Sequence, residues 1–111
     1  MKLLARMLSW FAGDVTAVSG ERQRSPKWET FRREFLKVNN ECAACGSVRD
    51  LEVHHVVPYQ RRPDLELDIE NCITLCRDDH FTFGHLKDWR SWNETVRYDC
   101  QRYRAKVRRR P

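Results

Sequence analysis

The sequence predicts a small α+β domain in which two short strands and a following helix form a core flanked by further helices. Three observations lead there. The runs Leu51 to Val57 and Ile73 to Cys76 are rich in β-branched residues and read as strands. Apolar residues recur at helical spacing before them (Trp28, Phe31, Phe35) and after them (Trp92, Val96, Cys100, Tyr103). Between and within these runs the chain gathers metal-ligand chemistry, with a C-x-x-C pair at Cys42 and Cys45 and all four histidines, His54, His55, His80 and His85, between residues 51 and 85.

Each element has its own signal. Leu3, Leu4, Met7, Leu8 and Phe11 share one helical face opposite Lys2, Arg6 and Ser9, so residues 1–24 read as a short amphipathic helix and a polar linker. Ser25-Pro26 suits the start of the next helix, because Ser caps the first turn and Pro lacks only an N–H that would be unpaired there. That helix runs to about Val38, with its aromatic stripe toward the core and Arg32, Arg33 and Lys37 opposite. Gly46 permits the tight turn a C-x-x-C knuckle needs. Pro58 ends the first strand, and Pro63 to Glu70 reads as a loop with Leu65 and Leu67 turned inward and its acids solvated. A helix is expected from Arg77 to about Phe83, with Asp78 and Asp79 in its first turn and Gly84 as a stop. Asn93 is placed to cap the last helix.

Adjacent residues on a strand point to opposite faces. His54 and His55 are therefore expected to have different tasks, one toward a packed helix and one toward a substrate.

Composition narrows the function. The 111 residues form one domain, 41% hydrophobic and 33% charged. A domain of this size buries a modest share of its surface, which a metal staple would offset. The net charge of +5 is concentrated at the end: six of the 21 Lys and Arg lie after Cys100, and the remaining 15 face 16 acids. A nucleic acid is the partner such a basic tail suits. Five cysteines is an odd count, and C-x-x-C spacing in a chain without a convincing signal peptide favours metal over disulfides, hence a reducing, cytoplasmic setting. No stretch approaches the roughly 20 apolar residues of a membrane span.

The pair His54-His55, then Asn71, then His80 resembles the motif of the HNH endonucleases, the ββα-metal nucleases. The lead-in RSPKWETFRREFLKVNNECAACG resembles the helix preceding that motif in phage and bacterial members, and HFTFGHLKDWRSWN resembles a phage-type subgroup. On this reading residues 25–103 are the nuclease domain and 104–111 a basic tail.

The resemblance implies a metal-dependent endonuclease that hydrolyses DNA to 5′-phosphate and 3′-hydroxyl ends. It implies His54 and His80 as metal ligands and His55 as general base, with Asn71 fixing either the loop or the base. Zinc-stapled members repeat the C-x-x-C, which makes Cys76 and position 79 the partners of Cys42 and Cys45; position 79 is Asp79, a carboxylate able to ligate zinc. Cys72 is a poor substitute, about 13 Å from Cys76 along an extended strand. Colicin-type members carry a further ligand four residues after the His80 position, where this chain has Gly84. His85 is five residues on, about 140° around an α-helix, and is expected to pack or to contact phosphate. Two histidines completed by water or phosphate oxygens suit magnesium or manganese. The alternatives are a zinc-bearing DNA-binding module that does not cut, and an accessory subunit of a phage DNA-packaging machine that cuts only with its partner.

Overall fold

The computed structural model describes residues 24–109; the expected N-terminal helix and linker lie outside the described residues up to residue 23, as do Arg110 and Pro111. The order is helix α1 (Trp28–Val38), the Cys42–Gly46 knuckle, strand β1 (Leu51–His55), a loop carrying two 3₁₀ turns (Pro63–Leu65 and Ile69–Asn71), strand β2 (Cys72–Cys76), helix α2 (Arg77–Asp79) running on into a π turn (His80–Gly84), and helix α3 (Val96–Arg109). Two strands and a following helix form the core, as the sequence predicts. No helix among the described residues is long and apolar enough to cross a membrane.

The strands pair antiparallel, with Glu52 opposite Leu75, Val53 opposite Thr74, His54 opposite Ile73 and His55 opposite Cys72. The two-residue repeat of a strand then sorts the side chains. Val53 and Cys72 pack with Leu67 under Phe31 and Phe35 of α1. Ile73 and Leu75, on the other face, pack with Cys42, Ala44, and Val96 and Cys100 of α3. The aromatic stripe of α1 is core, as its spacing indicates, and Phe31 is fully buried. Ser25 works one turn ahead of that helix: its hydroxyl accepts from the Lys27 amide at 3.1 Å and its carbonyl from the Trp28 amide at 2.9 Å.

Polar contacts fasten the knuckle and the long loop to the sheet. The Ala43 amide donates to the Thr74 carbonyl at 2.9 Å, and the Thr74 hydroxyl to the Asn39 carbonyl at 2.8 Å. Gly46 has φ +80°, which a side chain resists, and a Cβ there would come within 2.6 Å of the Arg104 guanidinium. Glu66 departs from the expectation of solvated loop acids. Its side chain is only 6% exposed, accepts from the Ser25 amide at 3.0 Å and pairs with Arg24 at 3.4 Å. A buried carboxylate is tolerable because both partners reach it.

The basic segment that begins at Arg104 continues α3 as far as Arg109. Arg104 donates to the Cys42 carbonyl at 2.9 Å and to Glu41 at 2.9 Å, so this charge is spent inside the chain. We expect Arg104→Ala to lower stability by about 1 kcal/mol, because the Cys42 carbonyl keeps the Gly46 amide but loses the guanidinium, and Glu41 loses its ion pair. Arg108, exposed on the same helix, should tolerate the same change within about 0.5 kcal/mol. Thermal melting of the two variants at fixed metal content checks this; equal melting would show that the Arg104 contacts contribute nothing.

Candidate metal centres and active site

Register and a change of helical pitch assemble the histidines. His54 projects from β1 toward the segment after β2, and His80 opens the π turn there. In an α-helix His85 would point away from His80, but the His85 amide donates to the His80 carbonyl at 3.1 Å, an i→i+5 bond. A π turn is an α-helix with one extra residue in the loop of the bond, so residues five apart come to lie one above the other. The ring centroids of His54, His80 and His85 form a near-equilateral triangle with sides of 4.9, 5.0 and 4.9 Å. One ring nitrogen from each lies within 4.8 Å of the others. The structure thus brings His85 to the pair that the sequence assigns to metal; the α-helical geometry behind its separate placement does not hold here.

Outer contacts fix the tautomers. A carboxylate oxygen can only accept, so the 2.9 Å contact of His80 Nδ1 with Glu52 places the proton on Nδ1 and leaves Nε2 with a lone pair. The Ser91 carbonyl does the same for His85 Nδ1 at 2.7 Å. Glu52 and Ser91 are partners that sequence reasoning did not find; a short strand residue two before His54 and a loop serine carry no signal of that task. His54 is 2% exposed, and its buried Nε2 has no hydrogen-bond partner among the described residues. Such an orphan costs roughly 1–3 kcal/mol, and a metal ion is what would satisfy it. Three imidazoles, two of them oriented from behind, fit a bound divalent cation.

Burial disfavours the charged form of His54 and His80. It pushes His54 down to about 3, with His80 and His85 adding repulsion, and it lowers His80 against the opposing pull of Glu52. His55 falls to about 4, through burial first; its bond to the Glu66 carbonyl opposes the fall. That bond, 2.8 Å from Nε2, makes Nε2 the donor and leaves the lone pair on Nδ1. Trp28 of α1 lies against the ring at 4.8 Å between centroids. Both neighbours of the pair thus face packed elements, His54 the π turn and His55 helix α1, and both line one cavity of about 640 Å³.

Asn71 lies apart from the imidazole triangle. Its amide donates to the Val57 carbonyl at 3.0 Å and to the Leu65 carbonyl at 3.4 Å, and its oxygen accepts from the Val57 amide at 2.9 Å. It pins both ends of the loop whose Glu66 carbonyl holds His55.

The second cluster comprises Cys42, Cys45, Cys76 and Asp79, whose ligand atoms lie within 4.8 Å of one another. Cys42 contacts the Asp79 carboxylate at 3.2 Å, and the Cys45 and Cys76 sulfurs are 3.9 Å apart. All five cysteines are free thiols. Cys72 stands elsewhere, its thiol donating to the Asp68 carbonyl at 3.4 Å. Burial raises the Cys45 thiol and pushes Cys76 up to about 12, which disfavours bare thiolates; a metal reverses that balance, since a coordinated thiol gives up its proton. Three sulfurs and a carboxylate can hold zinc.

Three outcomes follow from this geometry. Cys45→Ser should abolish one tightly held metal ion per chain and sharply lower the melting temperature, because metal binding contributes folding free energy; metal analysis and melting measure both. A Cβ at Gly84 would stand 2.9 Å from His54 Cε1 and 3.0 Å from its Nδ1. Gly84→Ala should therefore displace the ring and weaken metal binding at the histidine site by roughly tenfold or more, read by calorimetry with manganese. For the metal-free chain, His54 and His55 are depressed below the 6.5 of a free imidazole, so the unfolded state takes up protons first. Stability should be full above about pH 6.5 and fall as pH drops toward 4; a flat denaturation midpoint across that window would contradict the buried neutral rings.

Comparison with known proteins agrees with this construction. The HNH endonuclease family model matches residues 42–85. No curated protein and no solved structure was found similar to the chain. The matched span, which covers under half of the chain, takes in the cysteine–aspartate cluster and every histidine of the site, and in that span the chain is similar to the HNH endonucleases.

Proposed function

We propose that this protein is a metal-dependent endonuclease that hydrolyses DNA phosphodiester bonds, with His54, His80 and His85 holding the catalytic ion and His55 as general base. The observation that carries the reading is the division of labour around one cavity. Three imidazoles converge with lone pairs available, while the fourth, His55, is turned by the Glu66 carbonyl so that a different nitrogen can accept a proton. Among the described residues, those lining the cavity include Arg24, Arg61 and Arg90 and no carboxylate. Such a wall suits a phosphodiester backbone.

A bound cation would act as Lewis acid, neutralising charge on the phosphate and on the leaving oxygen. The chain's own work is to orient and to move a proton. Because its pKa is depressed, His55 is in its proton-accepting form throughout the neutral range. Asn71 keeps the Glu66 carbonyl in place by pinning the loop at Leu65 and Val57. Three nitrogen donors favour a first-row transition ion such as manganese, cobalt, nickel or zinc over magnesium, which prefers oxygen. This differs from the magnesium or manganese expected of a two-histidine site, and the difference rests on His85. The Cys42, Cys45, Cys76 and Asp79 cluster holds a structural zinc.

Cleavage of supercoiled plasmid across a panel of divalent metals tests the activity. His55→Ala should lose roughly 10²–10⁴-fold in rate while metal still binds at the histidine site. His54→Ala, His80→Ala and His85→Ala should weaken metal binding and cleavage together. DNA affinity should survive in all four. A wild-type chain that binds DNA but never cuts it with any metal would make the domain a zinc-bearing DNA-binding module. A His85→Ala variant with unaltered metal affinity would remove that residue from the ligand set.

A further inference from the structure

Trp89 stands at the mouth of the histidine site and supplies no ligand atom to it. Its ring lies 4.8 Å from the His85 ring and 5.3 Å from His80, centroid to centroid, with Phe81 at 5.0 Å on the remaining packed side. It is nonetheless 57% exposed and lines the cavity. The other aromatic rings around that cavity are engaged: Arg24 lies over both Trp28 (4.6 Å) and Tyr59 (4.0 Å), and Arg61 over Trp92 (4.8 Å).

The loop that presents Trp89 is not slack. Leu86 and Lys87 both have positive φ, 54° and 65°, an unfavourable conformation for residues other than glycine. The loop is tied by the Lys87 amide to the Phe81 carbonyl (2.9 Å), the Asp88 amide to the His85 carbonyl (3.0 Å), and the Asn93 amide to the Gly84 carbonyl (2.9 Å). A strained, well-bonded loop therefore holds a large apolar ring half in water beside the site.

We propose that Trp89 is a stacking platform for an unpaired nucleobase next to the phosphate being cut, so that the preferred substrate is DNA whose bases are unstacked at that point. This rests on the nuclease reading above and adds the substrate class. In a continuous duplex the base faces are covered by their neighbours and only edges are offered in the grooves. An indole face at the rim gains contact only when a base face is free, and any base will serve because all have one. Arg61 and Arg90 beside it supply charge for the backbone of the same strand.

The test uses the full chain carrying His55→Ala, so that DNA is bound and not consumed. A single-stranded DNA oligonucleotide and a hairpin duplex of related sequence are titrated against it. The unaltered Trp89 chain should bind the single strand more tightly. Trp89→Leu, which keeps apolar bulk, should weaken single-strand binding roughly 5- to 100-fold; Trp89→Phe should restore most of it, and the hairpin should respond little to either. Manganese titration of each variant should be unchanged. Equal loss on both DNAs, no loss on either, or a parallel loss of manganese affinity would overturn the proposal, the last by making Trp89 a packing residue. If the Trp89 chain binds the hairpin at least as well as the single strand, the substrate class is wrong and the nuclease reading stands. If it binds neither DNA, both fail.

Discussion

The π turn at His80–Gly84 is the constraint on which the site depends. Continued as an α-helix, the segment would carry His85 about 140° away from His80. One i→i+5 bond, from the His85 amide to the His80 carbonyl, brings the ring back. The same turn has to pass close to β1, because His54 comes from the strand side. Gly84 allows the approach, since its backbone meets the His54 ring where a Cβ would collide. Pitch, strand register and one missing side chain therefore act together. A shift of β1 by one residue would turn His54 to the opposite face of the sheet and empty the triangle.

Neutral imidazoles packed this tightly are costly in a metal-free chain. His54 Nε2 is buried without a partner among the described residues, and His80 and His85 disfavour a proton on His54. The fold withstands this because other contacts hold the segments involved. The knuckle is tied to β2 by the Ala43 amide and to α3 by Arg104. Val96 and Cys100 of α3 pack on Ile73 and Leu75, in the same strand that leads into Asp79 and His80. The cysteine cluster and the histidine triangle thus share β2 and the turn after it, with Asp79 in one and His80 in the other. A metal ion held by the first cluster would therefore also order the backbone that presents the second.

Much of this was legible in the sequence, and the failures have physical causes. The aromatic stripe of α1, both strands, and the Cys42 and Cys45 pair follow from spacing, because each is a local pattern read out by regular geometry, whereas Cys76 and Asp79 were indicated by the family resemblance. His85 was expected to lie apart from His80 on the assumption of 3.6 residues per turn, across a segment whose pitch changes, and no residue in His80–Gly84 advertises a π turn. Glu66 read as solvated because acids in a loop usually are; its burial depends on Arg24 and the Ser25 amide, some forty residues away. Arg104 read as part of a basic tail suited to nucleic acid, since a charge pattern does not reveal which guanidinium meets a distant carbonyl. Local patterns were readable, whereas contacts between segments far apart in sequence were not.

Glu66 shows how such a long-range contact reaches the chemistry. Its carboxylate holds the Ser25 amide and Arg24 just before α1, and its carbonyl fixes the tautomer of His55. The segment leading into α1 and the proposed base are therefore positioned by one residue, through two different groups. Arg24, held in this way, lies over Trp28 and Tyr59 at the cavity rim, and Trp28 in turn packs on His55. Any displacement of the loop that carries Glu66 would disturb the guanidinium and the base together. Asn71 restrains that displacement from the far end of the same loop. On this geometry the asparagine of the motif reaches His55 only through the backbone of this loop, by its hydrogen bonds to Val57 and Leu65.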